Sequence, residues 1–91
     1  MATYYWRGLS NANWGTAGNW STGSTSTLGG AVPTNVDDAI FDTNSSACTI
    51  NITTAVCRFV NFSAYTNTIT FTNSLLIGVN GGSNAGVALG A

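Results

Sequence analysis

The stretch ACTINITTAVCRFVNFSAYTNTITFTNSLLIGVNGGSNAGVALGA, residues 47–91, decides the fold class of this 91-residue chain. Apolar and polar side chains alternate along it in short runs, a pattern typical of half-buried β-strands. Cys48 and Ile50 fall on one face of such a strand and Thr49 falls on the other. The same alternation is expected to run unbroken through residues 56–61. Because Thr, Val, Ile and aromatic residues are plentiful and Lys and Glu are absent, the composition also predicts an all-β protein.

A weak internal repeat runs through this region. Residues 49–67 match residues 68–86 when one segment is written above the other, so that Thr49 falls on Thr68. The alignment places Ile50 on Ile69 and Ile52 on Phe71, and we expect these four side chains to form an inward-facing core ladder. A third copy would begin at VALGA, residues 87–91.

A repeat of about 20 residues is the size of one coil of a β-solenoid, in which strands of successive coils stack in parallel about 4.8 Å apart. The sequence therefore predicts short β-solenoid coils. The alternative is a small antiparallel β-sandwich or jelly roll, for which the NG pair at residues 80–81 is a typical hairpin turn.

Residues 1–36 have a different composition from residues 37–91, although the length predicts one domain. The first segment is a head rich in Gly, Ser, Thr and aromatic residues, and the second is the β-strand repeat region. The open end of a first coil needs a cover, and broad aromatic rings supply one. We expect that cap to be formed by the aromatic residues of the head, which are Tyr4, Tyr5, Trp6, Trp14 and Trp20.

The same rings suggest a second use, as a platform that stacks on sugars. Asn13, Asn19 and Arg7 lie close by in the sequence and would hydrogen-bond sugar hydroxyls. Because most tryptophans of small domains are core residues, the cap is the favoured interpretation.

An ordered series of motifs gives the chain a family likeness. It consists of MATYYWRG (residues 1–8), a tryptophan pair that ends in NWS (19–21), VPTNVDDAIFD (32–42) and SAYTNTITF (63–71). Over roughly residues 1–80 this series resembles the N-terminal region of virion proteins of tailed bacteriophages, of the fibre, spike or structural type. Related openings occur in large bacterial surface proteins with β-helical bodies.

The resemblance implies a structural virion role, a β-solenoid body in longer relatives and a multi-copy assembly, with a trimer as the expected symmetry. It implies localisation in the virion after synthesis in the host cytoplasm. The partners would be other virion proteins and further copies of the chain, with a host surface glycan as a further ligand. The chain is expected to be part of a longer polypeptide.

Charge is scarce, and its scarcity excludes several functions. The charged residues are Arg7, Asp37, Asp38, Asp42 and Arg58, and there is no Lys, Glu or His. Two arginines are too few to displace the counterions of a nucleic acid, so no nucleic-acid partner is expected. Without His, Lys or Glu the usual general base is missing, so we expect no enzyme and no cofactor. Such low charge also indicates a chain whose surface is largely covered by neighbouring subunits in an assembly.

The three aspartates have two interpretations. In the first interpretation Asp37, Asp38 and Asp42 act as a carboxylate pair plus one, as in glycoside hydrolysis. We favour a polar turn whose carboxylates accept backbone N–H groups, and no metal site, because Ca²⁺ would need backbone carbonyls as well. Cys48 and Cys57 are expected to be small buried side chains rather than a disulfide.

The chain shows neither a signal peptide nor an apolar run long enough to span a membrane. We therefore expect the protein to act without being exported and without being inserted into a membrane. The leading hypothesis is a structural virion protein of a tailed phage, and the alternative is a carbohydrate-binding or adhesin module of a bacterial surface protein.

Overall fold

A computed structural model describes residues 2–23 and 30–78, together with the backbone of residues 86–88. Within these residues the regular elements are nine strands and one 3-10 turn at Ala17–Asn19, with no α-helix, which confirms the all-β class. The strands are β1 Thr3–Trp6, β2 Trp20–Ser21, β3 Asp38–Ile40, β4 Cys48–Ile50, β5 Val56–Cys57, β6 Phe59–Asn61, β7 Ile69–Phe71, β8 Leu76–Ile77 and β9 Gly86–Ala88.

The strands form three sheets. Sheet A has five strands in the order β2-β1-β3-β6-β9, sheet B pairs β4 with β7, and sheet C pairs β5 with β8. Among the described strands β1 and β2 pair antiparallel, and the other pairs are parallel. Parallel pairing of this kind is not the hairpin pattern of the sandwich alternative. The predicted NG turn at residues 80–81 lies outside the described residues.

The chain visits the three sheets in turn and then repeats the circuit. Strands β3, β4 and β5 are followed by β6, β7 and β8, and each strand of the second set pairs with its counterpart in the first. Asp38 pairs with Phe59 and Cys48 pairs with Ile69, so sheets A and B share the same sequence offset. Val56 pairs with Leu76 in sheet C, where the offset is slightly shorter.

The predicted register was therefore wrong. Ile50 pairs with Phe71 rather than with Ile69, which instead pairs with Cys48. A slip of two residues preserves the alternation of faces along each strand, so alternation alone does not reveal the error. Ile52 lies beyond the end of β4, and Phe71 is 56% exposed, so neither residue takes its predicted place in an inward-facing ladder.

Two smaller expectations also fail. Cys57 and Val60 are both buried although they would fall on opposite faces of a continuous strand, because the chain turns at Arg58 between β5 and β6. The alternation predicted through residues 56–61 is thus broken at a corner. The predicted third copy is wrong as well, because Val87 pairs with Val60 in sheet A and not with β7.

The head and the repeat region share one core. Strand β1 pairs with β3 in sheet A, and Asn13 forms an isolated parallel bridge with Thr49 of β4. The buried apolar residues come from both segments: Trp6, Trp14, Trp20, Ala39, Phe41, Cys48, Ile50, Ala55, Cys57 and Val60. The described part of the head therefore packs against the described strands that follow it.

The register of sheet B can be tested with an engineered disulfide. Thr49 pairs with Thr70. The Cα atoms of paired residues on neighbouring strands are about 4.8 Å apart, which is within the Cα–Cα range that a disulfide can bridge. We expect the Thr49→Cys/Thr70→Cys variant to form the cross-link under mild oxidation, measured by a mobility shift without reductant.

The matched control is Thr49→Cys/Thr68→Cys, which joins the residues that the sequence repeat would have paired. It should stay reduced under the same conditions. A control that cross-links as fast as the Thr49→Cys/Thr70→Cys variant would contradict the register of sheet B.

Candidate functional site

The head buries its three indoles in an aromatic cluster. Trp6 and Trp14 are 0% exposed and Trp20 is 1% exposed, which confirms the expectation that these tryptophans are buried. Trp20 stands edge-on to both of the others, with ring centroids 5.1 Å from Trp6 and 4.8 Å from Trp14. Edge-to-face packing at these distances is the favoured geometry of aromatic pairs.

Phe41, directly after β3, joins this cluster to the repeat region. Its ring centroid lies 5.9 to 6.0 Å from those of the three tryptophans, which are Trp6, Trp14 and Trp20. It also lies 4.9 Å from Phe62 and 5.1 Å from Tyr65. We call these six residues the aromatic cluster. The alternation of the strands does not single out Phe41 as a core residue, although Phe41 and Phe62 are separated by the same offset that relates the strands of sheets A and B.

Two of the three indole N–H groups reach loop carbonyls, as a buried tryptophan requires. Trp6 Nε1 donates to the carbonyl of Ser46 at 3.0 Å, and Trp20 Nε1 donates to the carbonyl of Trp14 at 2.9 Å. Trp14 Nε1 is buried without a hydrogen-bond partner among the described residues.

Asn19 organises the loop that carries Trp14 and Trp20. Its Oδ1 accepts the backbone N–H groups of Ser10 and Asn11 at 2.8 and 3.0 Å. Its Nδ2 donates to Asn11 Oδ1 and to the carbonyl of Asn13, both at 2.8 Å. Each side-chain atom of this fully buried amide is therefore satisfied within the loop, which fixes the entry into β2.

Arg7 anchors the end of β1 to the loop that follows Phe41. Its guanidinium donates to both oxygens of Asp42, at 2.7 Å from Nη1 and 3.0 Å from Nη2, and Nη1 also lies 3.2 Å from Ser45 Oγ. The Arg7 side chain is 1% exposed and that of Asp42 is 23% exposed. A bidentate, largely desolvated pair of this kind fixes geometry more firmly than a surface ion pair.

Residues 42–46 are tied to the head at further points. Ser45 Oγ donates to the carbonyl of Trp6 at 2.6 Å, and Ser46 Oγ donates to the carbonyl of Arg7 at 3.0 Å. Gly8 has a φ of +66°, and a Cβ there would collide with Ser46 Oγ, so this close approach requires glycine.

These contacts argue against the sugar platform. The three indoles are buried, and Arg7 and Asn19 are engaged inside the fold. Tyr4 is half-buried and packs on the core, as the cap predicts, whereas Tyr5 lies on the sheet with the Arg7 guanidinium carbon 5.5 Å from its ring centroid.

The aspartates act separately. Asp37 accepts the N–H of Ala2 at 2.9 Å, the N–H of Thr34 at 2.9 Å and the hydroxyl of Thr34 at 2.8 Å. The predicted polar turn is therefore confirmed for this residue. Burial acts to raise the pKa of Asp37, but these hydrogen bonds outweigh it and hold the pKa below its ordinary value.

Asp38 and Asp42 each pair with an arginine. Asp38 Oδ2 accepts from Arg58 Nη2 at 2.6 Å, so Asp37 and Asp38 do not form a carboxylate pair. Burial acts to raise the pKa of Asp42 as well, but the hydrogen bond and charge of Arg7 and the N–H of Asn44 lower it overall. The described residues contain no group of three or more acidic, histidine or cysteine side chains placed to hold a metal ion.

Cys48 and Cys57 are free, buried thiols that line the core, as expected for small apolar side chains. Burial raises the pKa of each to about 12. Neither thiol therefore has the thiolate character of a reactive cysteine.

Comparison of the chain with protein-family models, curated proteins and solved structures finds no match. Among the described residues no helix has the length and apolar character needed to cross a membrane.

The Arg7–Asp42 pair makes a prediction about acid stability. Because the pKa of folded Asp42 is lowered, its contribution to stability is present above the unfolded pKa of about 3.9 and is lost as pH falls through the folded value. We expect Asp42→Asn to lower the free energy of unfolding at pH 7 by about 3 kcal/mol, because it leaves a buried guanidinium without its carboxylate.

The difference between wild type and Asp42→Asn should shrink as pH is lowered from about 5 toward 2, measured by urea denaturation at each pH. The matched control is Arg7→Met/Asp42→Leu, which removes both charges and should cost less than the single change. A constant difference across this pH range would mean that the pair does not titrate as described.

Proposed function

We propose that this chain is a structural virion protein of a tailed phage, a fibre, spike or capsid or tail decoration subunit that acts in assembly or attachment. In this proposal residues 37–91 are the first coils of a β-solenoid and the aromatic head is its cap. The observation that carries the proposal is the stacking of β6, β7 and β8 on β3, β4 and β5, sheet by sheet and in parallel.

That stacking supports the solenoid because each circuit of the chain contributes one strand to each of three sheets. Inward-facing side chains then fall in columns, such as Ala39 with Val60 and Cys57 with Ile77. Further coils of the same length would continue the columns without changing the cross-section of the core.

The arrangement of the head supports the cap. Strand β1 lies on the outer edge of β3, and β2 covers β1 in the antiparallel direction. Among the described strands the short β2, with Ser21 as its last residue, is the outermost on that side. Short, covered edges prevent uncontrolled pairing with other chains, which a solenoid end needs.

The distribution of charge supports an assembly. Arg7 and Arg58 pair with Asp42 and Asp38, and Asp37 is enclosed by hydrogen bonds, so all five charged side chains are used inside the fold. The contacts left for partners are neutral polar groups and exposed apolar side chains, which include Leu9, Phe71 and Leu76. The proposed partners are other virion proteins and further copies of the chain, with a trimer suggested by the phage resemblance alone.

The chain in this proposal binds no cofactor and catalyses no reaction. A carbohydrate-binding role has less support, because its three proposed indole contacts are buried. The proposed localisation is the virion, after synthesis in the host cytoplasm.

Immunogold electron microscopy of purified particles tests the virion role. Antibodies raised against the purified chain are expected to label particles at one defined position, and mass spectrometry of the same particles should detect its peptides. Particles from a strain that lacks the coding gene are the control. Particles free of the chain, with the protein remaining in the cell lysate, would contradict the role.

Self-association in solution gives a separate prediction. Because interfaces built from neutral groups have little charge to screen, the oligomer should persist unchanged between about 0.05 and 1 M NaCl. Sedimentation velocity of the purified chain measures this directly. A monomer at micromolar concentration, or an oligomer that dissociates as salt rises, would contradict the assembly.

A further inference from the structure

An open groove of about 610 Å³ lies beside sheet C, away from the aromatic cluster. Its volume falls within the range of about 300–1,000 Å³ that ligand sites occupy. No charged residue lines it, and its apolar lining comes from Val32, Pro33, Ile52, Val56 and Leu76. Leu76 is 59% exposed, the most exposed of the large apolar side chains in the described part of the chain.

Sheet C differs from the other two sheets at the end where the head lies. In sheet A the outer edge of β3 is covered by β1, and in sheet B the outer side of Thr49 is bridged by Asn13. No strand within the described residues pairs with the outer edge of β5. The groove thus lies where the head supplies no strand to the third sheet.

The hydrogen bonds of β5 identify the groups on that edge. The carbonyls of Ala55 and Cys57 accept from the N–H groups of Leu76 and Gly78, at 3.1 and 3.0 Å. Successive residues of a strand direct their backbone groups to opposite edges. The N–H and C=O of Val56 therefore point away from β8, toward the edge that no described strand pairs with, while its side chain lines the groove. The N–H of Arg58 on the same edge donates to the carbonyl of Asp37 at 2.7 Å, so the open part of the edge is confined to Val56, and residues 32–35 also line the groove.

We infer that the outer edge of β5 binds an extended, uncharged segment of another polypeptide as an added strand. The Val56 backbone would pair with the segment, and the groove would accept one of its apolar side chains. Because the lining carries no charge, a charged side chain would lose its hydration there and gain no partner. Strand addition here depends only on the geometry of β5 and is independent of the virion role.

The probe is a fluorescein-labelled peptide with the sequence NSLLIG, residues 73–78. It contains the sequence of β8, which pairs in parallel with the opposite edge of β5. We expect saturable binding to the whole chain, followed by fluorescence anisotropy, with a dissociation constant below about 1 mM. The same peptide with lysine in place of the second leucine should bind at least tenfold more weakly.

Val56→Pro tests the edge itself. Proline removes the N–H that faces the groove but none of the bonds to β8, and edge positions tolerate proline. We expect the variant to keep the unfolding midpoint of wild type and to bind the peptide at least tenfold more weakly. Val56→Thr, which keeps the N–H and the β-branched shape of the side chain but adds a hydroxyl in the open groove, should bind within about threefold of wild type.

Hydrogen exchange in wild type gives a readout that does not depend on the proline variant folding. The Val56 amide should exchange more slowly when the peptide is present. No saturable binding at about 1 mM, equal binding by Val56→Pro, or unchanged exchange at Val56 would overturn the inference. The inference would also be overturned if wild type formed a dimer that Val56→Pro abolished and no peptide bound. The groove would then be an interface between whole copies of the chain.

Discussion

The contact between Phe41 and the three buried tryptophans holds the head on the repeat region. Phe41 follows β3, so its position is set by the parallel pairing of sheet A, and its ring reaches the indoles on one side and Phe62 and Tyr65 on the other. Tryptophan and phenylalanine side chains each bury about 150–250 Å², so one such cluster dominates the core of a small domain. Removing Phe41 would take away the one ring that contacts all three indoles and also Phe62 and Tyr65 among the described aromatic pairs.

The polar contacts of the head follow from that packing. Bringing the indoles together bends residues 7–20 back on themselves, and their backbone groups must then be satisfied without regular structure. Asn19 satisfies the loop from within, and Arg7 with Asp42 joins it to the strand region. Arg7, Asp42 and Asp37 are thus used where the head meets the repeat region, and Arg58 pairs with Asp38 within the repeat region. The exterior is left to neutral side chains. The proposed role in an assembly is consistent with that exterior.

The sequence predicted the strand class and the buried tryptophans, because alternation and aromatic burial are local properties of the chain. It did not predict the register, because matches between threonines and asparagines favoured a shorter repeat than the one set by core side chains such as Phe41 and Phe62. Arg7 and Asp42 are far apart along the chain, and no local pattern links them. The sequence identified Asn19 only as a residue able to form hydrogen bonds. The four hydrogen bonds that its side chain makes depend on how the loop folds, which no local pattern predicts.

Urea denaturation of Phe41→Ala beside Phe71→Ala tests the central contact most directly. Both changes remove the same ring, but Phe41 is 1% exposed and Phe71 is 56% exposed. Phe41→Ala should lower the free energy of unfolding by about 3–5 kcal/mol and shift tryptophan emission toward that of indole in water, whereas Phe71→Ala should cost less than about 1 kcal/mol. If the two variants were equally stable and both kept the emission of wild type, Phe41 would not be the contact that holds the head in place.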